Sequence, residues 1–155
     1  MWYHVVGTGD GSDLKMYVNG QLQTATTAYS TPLITTTNDL MIGAQHNTDT
    51  GNVWVGQIDG VAIFDYALSS SQVTTLYGSS STGIGNPMSL SPKPVFYAPL
   101  GDQDAFNSSS YLTPNASLKD FVFNFDRNSS ASGNDRIDIP NFNYTGNKTV
   151  SFWIN

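Results

Sequence analysis

The chain reads as an all-β, antiparallel, jelly-roll-like β-sandwich with one short helix. Three observations predict this. Apolar residues alternate with small or polar ones in short runs, most clearly over Val53–Phe64 and Thr149–Ile154, as half-buried strands require. Turn dipeptides punctuate the runs, Asp10-Gly11 and Asn19-Gly20 among them. The composition is also one of strands and turns: the twelve acidic residues are all Asp, Glu is absent, and Ser, Thr, Asn and Gly take the places that helix formers would hold.

The same composition narrows the function. A length of 155 residues suits one ordinary domain, and an apolar fraction of 39% gives it enough material for a core. With six Lys plus Arg against a net charge of −6, no basic patch for nucleic acid or an anionic membrane is expected. No apolar run reaches membrane-spanning length, and no secretory leader is expected. The absence of Cys removes disulfides and thiolate metal sites, and with only two His a zinc site would need Asp for its remaining ligands.

Taken in order, Trp2–Thr8, Leu14–Val18 and Gln21–Thr26 read as a three-stranded meander. Asn-Gly between alternating runs is a strong hairpin signal, because a type I′ turn needs positive φ at both central residues. A Thr-rich loop over 27–39 leads to a strand at Leu40–Ala44, and a polar loop over 45–52 leads to the long run ending at Phe64. Ser69 with Gln72 three positions later fits a capping box; Val73, Leu76 and Tyr77 fall on one helical face, and Gly78 ends the helix. Residues 79–94 have linker composition. Further strands are expected within Val95–Leu100, Phe121–Phe125, Asn134–Pro140 and Thr149–Ile154.

These runs carry a resemblance. Gly56, Ile58-Asp59, Val61–Phe64, Ala67-Leu68-Ser69 and Leu76-Tyr77 resemble the closing segment of laminin-G-like domains, in the concanavalin A-like lectin/glucanase superfamily. Trp2, His4-Val5-Val6, Asp10-Gly11 and Leu14–Gly20 resemble the meander that precedes it in the family. Tyr97–Leu100, Phe123–Phe125, Asp135–Pro140 and Ser151–Trp153 resemble the family's opening half. The order is therefore inverted: residues 1–78 are similar to a C-terminal half, 79–94 to a linker, and 95–155 to an N-terminal half, with the family's middle strands missing. Two arrangements stay open, a piece spanning the junction of tandem domains and a circular permutation whose halves close on each other. Either way the halves are expected to meet in one sandwich, since a half-sandwich exposes an apolar face and unpaired edges.

Trp2, Tyr17 and Trp153 are expected in the core, and His4 as a satisfied, partly buried histidine. Trp54 beside Gln45, His46, Asn47 and Asp49 is the candidate ligand site, since a sugar platform needs an exposed aromatic face with polar neighbours that bond hydroxyls. Asp59 carries a charge inside a strand, which is costly unless paired or metal-bound. The resemblance implies a structural calcium in some members, for which Asp59, Gly101 and Asp102 are the candidates; calcium wants six to eight oxygens, so carbonyls and water would have to complete the set. Asp59 bonded to nearby backbone amides is the other reading.

No catalytic residue is expected. The glucanases of the superfamily use a motif built around Glu, and this chain has none; nor is there a phosphate loop, a nucleophile elbow or a triad. The resemblance therefore implies a non-catalytic carbohydrate-binding or adhesion module of a larger multi-repeat surface or virion protein. Its expected partners are a glycan or surface protein and neighbouring repeat domains, in an extracellular, cell-surface or virion setting. A purely structural repeat that binds nothing small is the alternative.

Overall fold

The computed structural model describes residues 1–24, 27–28, 40–44, 53–79, 81, 83–99, 123–125, 137–139 and 146–155. Strand β1 (Tyr3–Gly9) runs into β2 (Asp13–Val18) through a turn held by Asp10. The Asp10 carboxylate accepts from the amides of Ser12 and Asp13 at 2.9 and 2.8 Å and pairs with Lys15 at 2.8 Å. Asn19 (φ 51°) and Gly20 (φ 76°) then form the turn that the Asn-Gly pair predicts. The third run divides: β3 (Gln21–Leu22) pairs with Tyr17 and Val18, while β4 (Thr27–Ala28) pairs with Asp13 and Leu14.

The remaining elements are β5 (Leu40–Ile42), β6 (Gly56–Phe64), helix α1 (Ser70–Tyr77), a 3-10 turn over Pro87–Ser89, β7 (Phe96–Ala98), β8 (Phe123–Phe125), β9 (Ile137–Ile139) and β10 (Lys148–Ile154). Eight strands form one antiparallel sheet in the order β3-β2-β1-β10-β6-β7, with β4 also on β2 and β8 also on β6. Strands β5 and β9 form a second, two-stranded sheet. The fold class is all-β and antiparallel with one short helix. Strands from residues 1–78 and from 95–155 alternate within the large sheet: β10 lies between β1 and β6, with Val5 opposite Phe152 and Val150 opposite Ile63.

Helix α1 forms where its caps place it. Ser69 Oγ accepts from the Gln72 amide while the Gln72 side chain accepts from the Ser69 amide, the reciprocal bonding of a capping box. The Gly78 amide closes the last turn on the Thr74 carbonyl. Val73 and Leu76 face the sheet and bury against Val6, Tyr17, Ala62, Phe64 and Leu68. Full burial of Phe64 alone contributes roughly 1.5–3 kcal/mol. On the opposite face Ile42 of β5 packs with Ile58 and Val61, and Phe96, Ala98, Phe152 and Ile154 close around them. The large sheet is thus covered by a helix on one face and by the small sheet on the other.

Strand β6 does not alternate without interruption. Ser151 faces Ala62 and Trp153 faces Asp59, so two steps on β10 answer three on β6, a bulge around Gly60. The bulge keeps Asp59, Ala62 and Phe64 on the helix-covered face although their numbers are out of phase. Within the stretch expected as a linker, residues 83–92 pack against the domain. The Gly85 amide donates to Leu76 O at 3.0 Å, and Tyr66 OH donates to Pro92 O at 2.7 Å. Pro87 is buried, and Leu90 packs on the helix-side core. The segment is a packed crossing from α1 to β7, and small residues with prolines make its tight turns.

Candidate ligand-binding surface at Trp54

Val53 bridges Ala44, and the Trp54 amide donates to Gly43 O at 2.7 Å, so the start of the β6 approach is pinned to the end of β5. Trp54 keeps 38% of its surface exposed and Val55 59%. Gly56, at φ +146°, lies directly beneath the indole: a Cβ there would stand 3.0 Å from Trp54 Nε1 and 2.5 Å from Asn155 O. Only glycine lets these three groups come together. On the other side of Gly56, Gln57 and Asn155 exchange both backbone hydrogen bonds at 3.0 Å, and Asn155 Nδ2 donates to Gln57 Oε1 at 3.0 Å.

The product is a partly exposed indole with an apolar shoulder at Val55. The Asn155 side-chain amide is engaged at both ends, by the Met1 amine at its oxygen and by Gln57 Oε1 at its nitrogen. The indole is the element that sequence reading singled out. The Asn155 carbonyl is not legible as a neighbour of Gly56, because it arrives there only through the backbone pairing of Asn155 with Gln57. The other proposed ligand contacts, Gln45, His46, Asn47 and Asp49, lie outside the described residues.

Asp59 occupies a different place. It stands opposite Trp153, which stands opposite His4, so one row of side chains crosses β6, β10 and β1 beneath the helix. His4 is 1% exposed, its Nε2 is 2.9 Å from Ser151 Oγ, and its Nδ1 is buried with no hydrogen-bond partner among the described residues. Its ring lies 4.9 Å from that of Trp153, and Tyr77 of α1 stacks on both. Burial lowers the His4 pKa to about 4, which keeps the imidazole neutral at pH 7. His4 is therefore fully buried, and it is bonded at one nitrogen instead of two. Trp2 and Trp153 are half-buried, and Tyr17 is buried with its hydroxyl 3.1 Å from Ser70 Oγ.

His4, Asp59, Tyr97, Ser151 and Trp153 line a small cavity of about 20 Å³. That is room for a single water. Among the described residues no group of three or more His or Asp comes together to hold a metal ion. Gly101 and Asp102, the other candidates, lie outside the described residues.

Residues 1–74 match a laminin-G model of the concanavalin A-like lectin/glucanase superfamily. The match runs through the β1–β2 meander and β6 into α1, the elements that surround Trp54 on one side and His4 on the other. Strand β10, which lies between β1 and β6, is beyond the matched residues. No curated protein and no solved structure matches the chain. Among the described residues no helix is long and apolar enough to cross a membrane.

Proposed function

We propose that the chain is a non-catalytic recognition module that binds a glycan, or a glycan-bearing surface, through the face around Trp54. The observation that carries this reading is the half-exposed indole packed at Gly56, with exposed Val55 beside it. A pyranose presents an apolar C–H face to an aromatic ring, and the half-exposed indole with Val55 beside it offers that contact. The laminin-G-like match of residues 1–74 is consistent with a carbohydrate-binding or adhesion role. The lack of Glu argues against the superfamily's glucanase chemistry. We place its work outside the cell, at a cell surface or on a virion.

Retention on a panel of immobilised glycans tests the reading. Trp54→Ala should lose retention on whichever glycan holds the parent, with its thermal midpoint within about 2 °C of the parent's, as expected for a surface substitution. Parent and variant retained equally would remove Trp54 from the site. A parent that no glycan retains would assign the chain to the structural-repeat role instead.

A further inference from the structure

The two sheets do not meet flush. Strand β5 is three residues long, whereas β6 and β10 run for nine and seven. The face of the large sheet that β5 covers is apolar along both long strands. The bulge at Gly60 returns Ile58 to the side of Val61 and Ile63, and Val150 stands opposite Ile63 with Phe152 two positions further along β10. Ile42 reaches this face from β5. Between these side chains lies a cavity of about 160 Å³. Every described side chain on its wall is apolar, and Leu40, Met41 and Gly43 complete it on the β5 side.

A space of this size is unusual in a protein interior, where voids larger than a water are few. Water gains little there, because a buried water needs two to four polar partners and the described wall has no polar side chain. Charged and hydroxylated molecules are disfavoured for the same reason, since their polar groups would lose hydration without a partner. An apolar molecule behaves differently. It leaves water for a surface that matches it, and it gives the wall the dispersion contacts that a void forfeits. The volume is close to the roughly 150 Å³ of apolar cavities that stay dry and admit benzene.

The cavity can also be reached. Leu40, Met41, Gly43, Val150 and Phe152 are half-buried, so this part of the wall borders solvent. Gly7 of β1 stands opposite Val150, and a Cβ there would meet no described atom within 4 Å, which leaves the β1 side of Val150 clear. We propose that the space between β5 and the β6–β10 face is a binding site for a small uncharged apolar molecule, about the size of one six-membered ring. The site is separate from the glycan surface proposed above. Trp54 touches its rim through the amide bond to Gly43 O, while the indole is not on the wall.

Benzene is the probe, and the test uses the full chain with its isoleucine δ1 methyls labelled for NMR. Ile42, Ile58 and Ile63 line the cavity; Ile84 lines the small cavity of His4 and Trp153 on the opposite face and serves as the reference. The proposal predicts saturable shifts of the three wall methyls with one shared Kd, and no comparable shift at Ile84. Glucose, a polar ring of similar size, should leave the wall methyls in place. Val150→Phe puts a ring into the cavity and should weaken benzene binding by about tenfold or more, with its fold read from the same methyl spectrum. Where that variant does not fold, the parent's methyl map decides alone. Absence of a saturable shift up to the solubility limit of benzene would overturn the proposal. So would parallel shifts at Ile84, equal shifts with glucose, or undiminished binding by a folded Val150→Phe chain.

Discussion

The backbone amide of Leu68 donates to Thr149 Oγ1, across 81 positions of sequence. The same hydroxyl donates to the Tyr66 carbonyl, so one buried side chain of β10 satisfies both polar groups of the corner between β6 and α1. That corner lies within the residues that match the laminin-G model, and it is completed by a residue beyond the matched segment. Thr149→Val keeps the shape and removes the hydroxyl. It should lower stability by about 1–3 kcal/mol in urea denaturation, the cost of stranding buried polar groups, while Thr149→Ser should retain most of the parent's stability. Equal stability of the valine and parent chains would show that the corner does not depend on β10.

His4 gives the fold a pH dependence with a defined sign. In the unfolded chain its imidazole titrates near pH 6.5; in the fold burial lowers that to about 4. Between these values the unfolded state binds a proton that the folded state refuses. Stability is therefore intact above pH 6.5 and falls as pH drops toward 4, by up to about 3 kcal/mol. His4→Gln keeps a donor or acceptor for Ser151 and cannot titrate, so denaturation midpoints between pH 7 and 4 should drift less for the variant. Parallel slopes for the two chains would remove His4 as the source.

Local signals in the sequence correspond closely to what the structure contains. Asn19-Gly20 gives its hairpin because the two residues tolerate the backbone that the turn needs, and Ser69 with Gln72 gives its capping box because both bonds lie within one helical turn. The position of β10 was not legible in the same way. Alternation says that Thr149–Ile154 is a half-buried strand, but nothing in a period of two names β1 and β6 as its neighbours. The bulge at Gly60 was hidden for a related reason, since a single extra residue leaves the run Val53–Phe64 looking continuous. Trp54 could be read as a candidate from its polar surroundings, whereas Asn155 becomes its neighbour only through the sheet.

Gly56 should tolerate no side chain. A Cβ there would meet the Asn155 carbonyl at 2.5 Å, and its φ of +146° is strained for any other residue. Gly56→Ala should destabilise the chain by roughly 1–3 kcal/mol and displace the Trp54 indole, seen as a shift in tryptophan fluorescence. A variant with unchanged stability and emission would contradict the close approach of Trp54, Gly56 and Asn155. Glycan retention should fall with it, because the indole loses its seat at Gly56.

Both the sheet and the Trp54 surface rest on β10 being seated between β1 and β6, and amide hydrogen exchange reports on that strand directly. The account predicts that the amides of residues 149–154 which bond to β1 and β6 exchange as slowly as those of Val5–Thr8 and Val61–Phe64, in one cooperative class set by global unfolding. Exchange of 149–154 at free-peptide rates, with β1 and β2 still protected, would mean that residues 1–78 stand without the strand and would contradict the account.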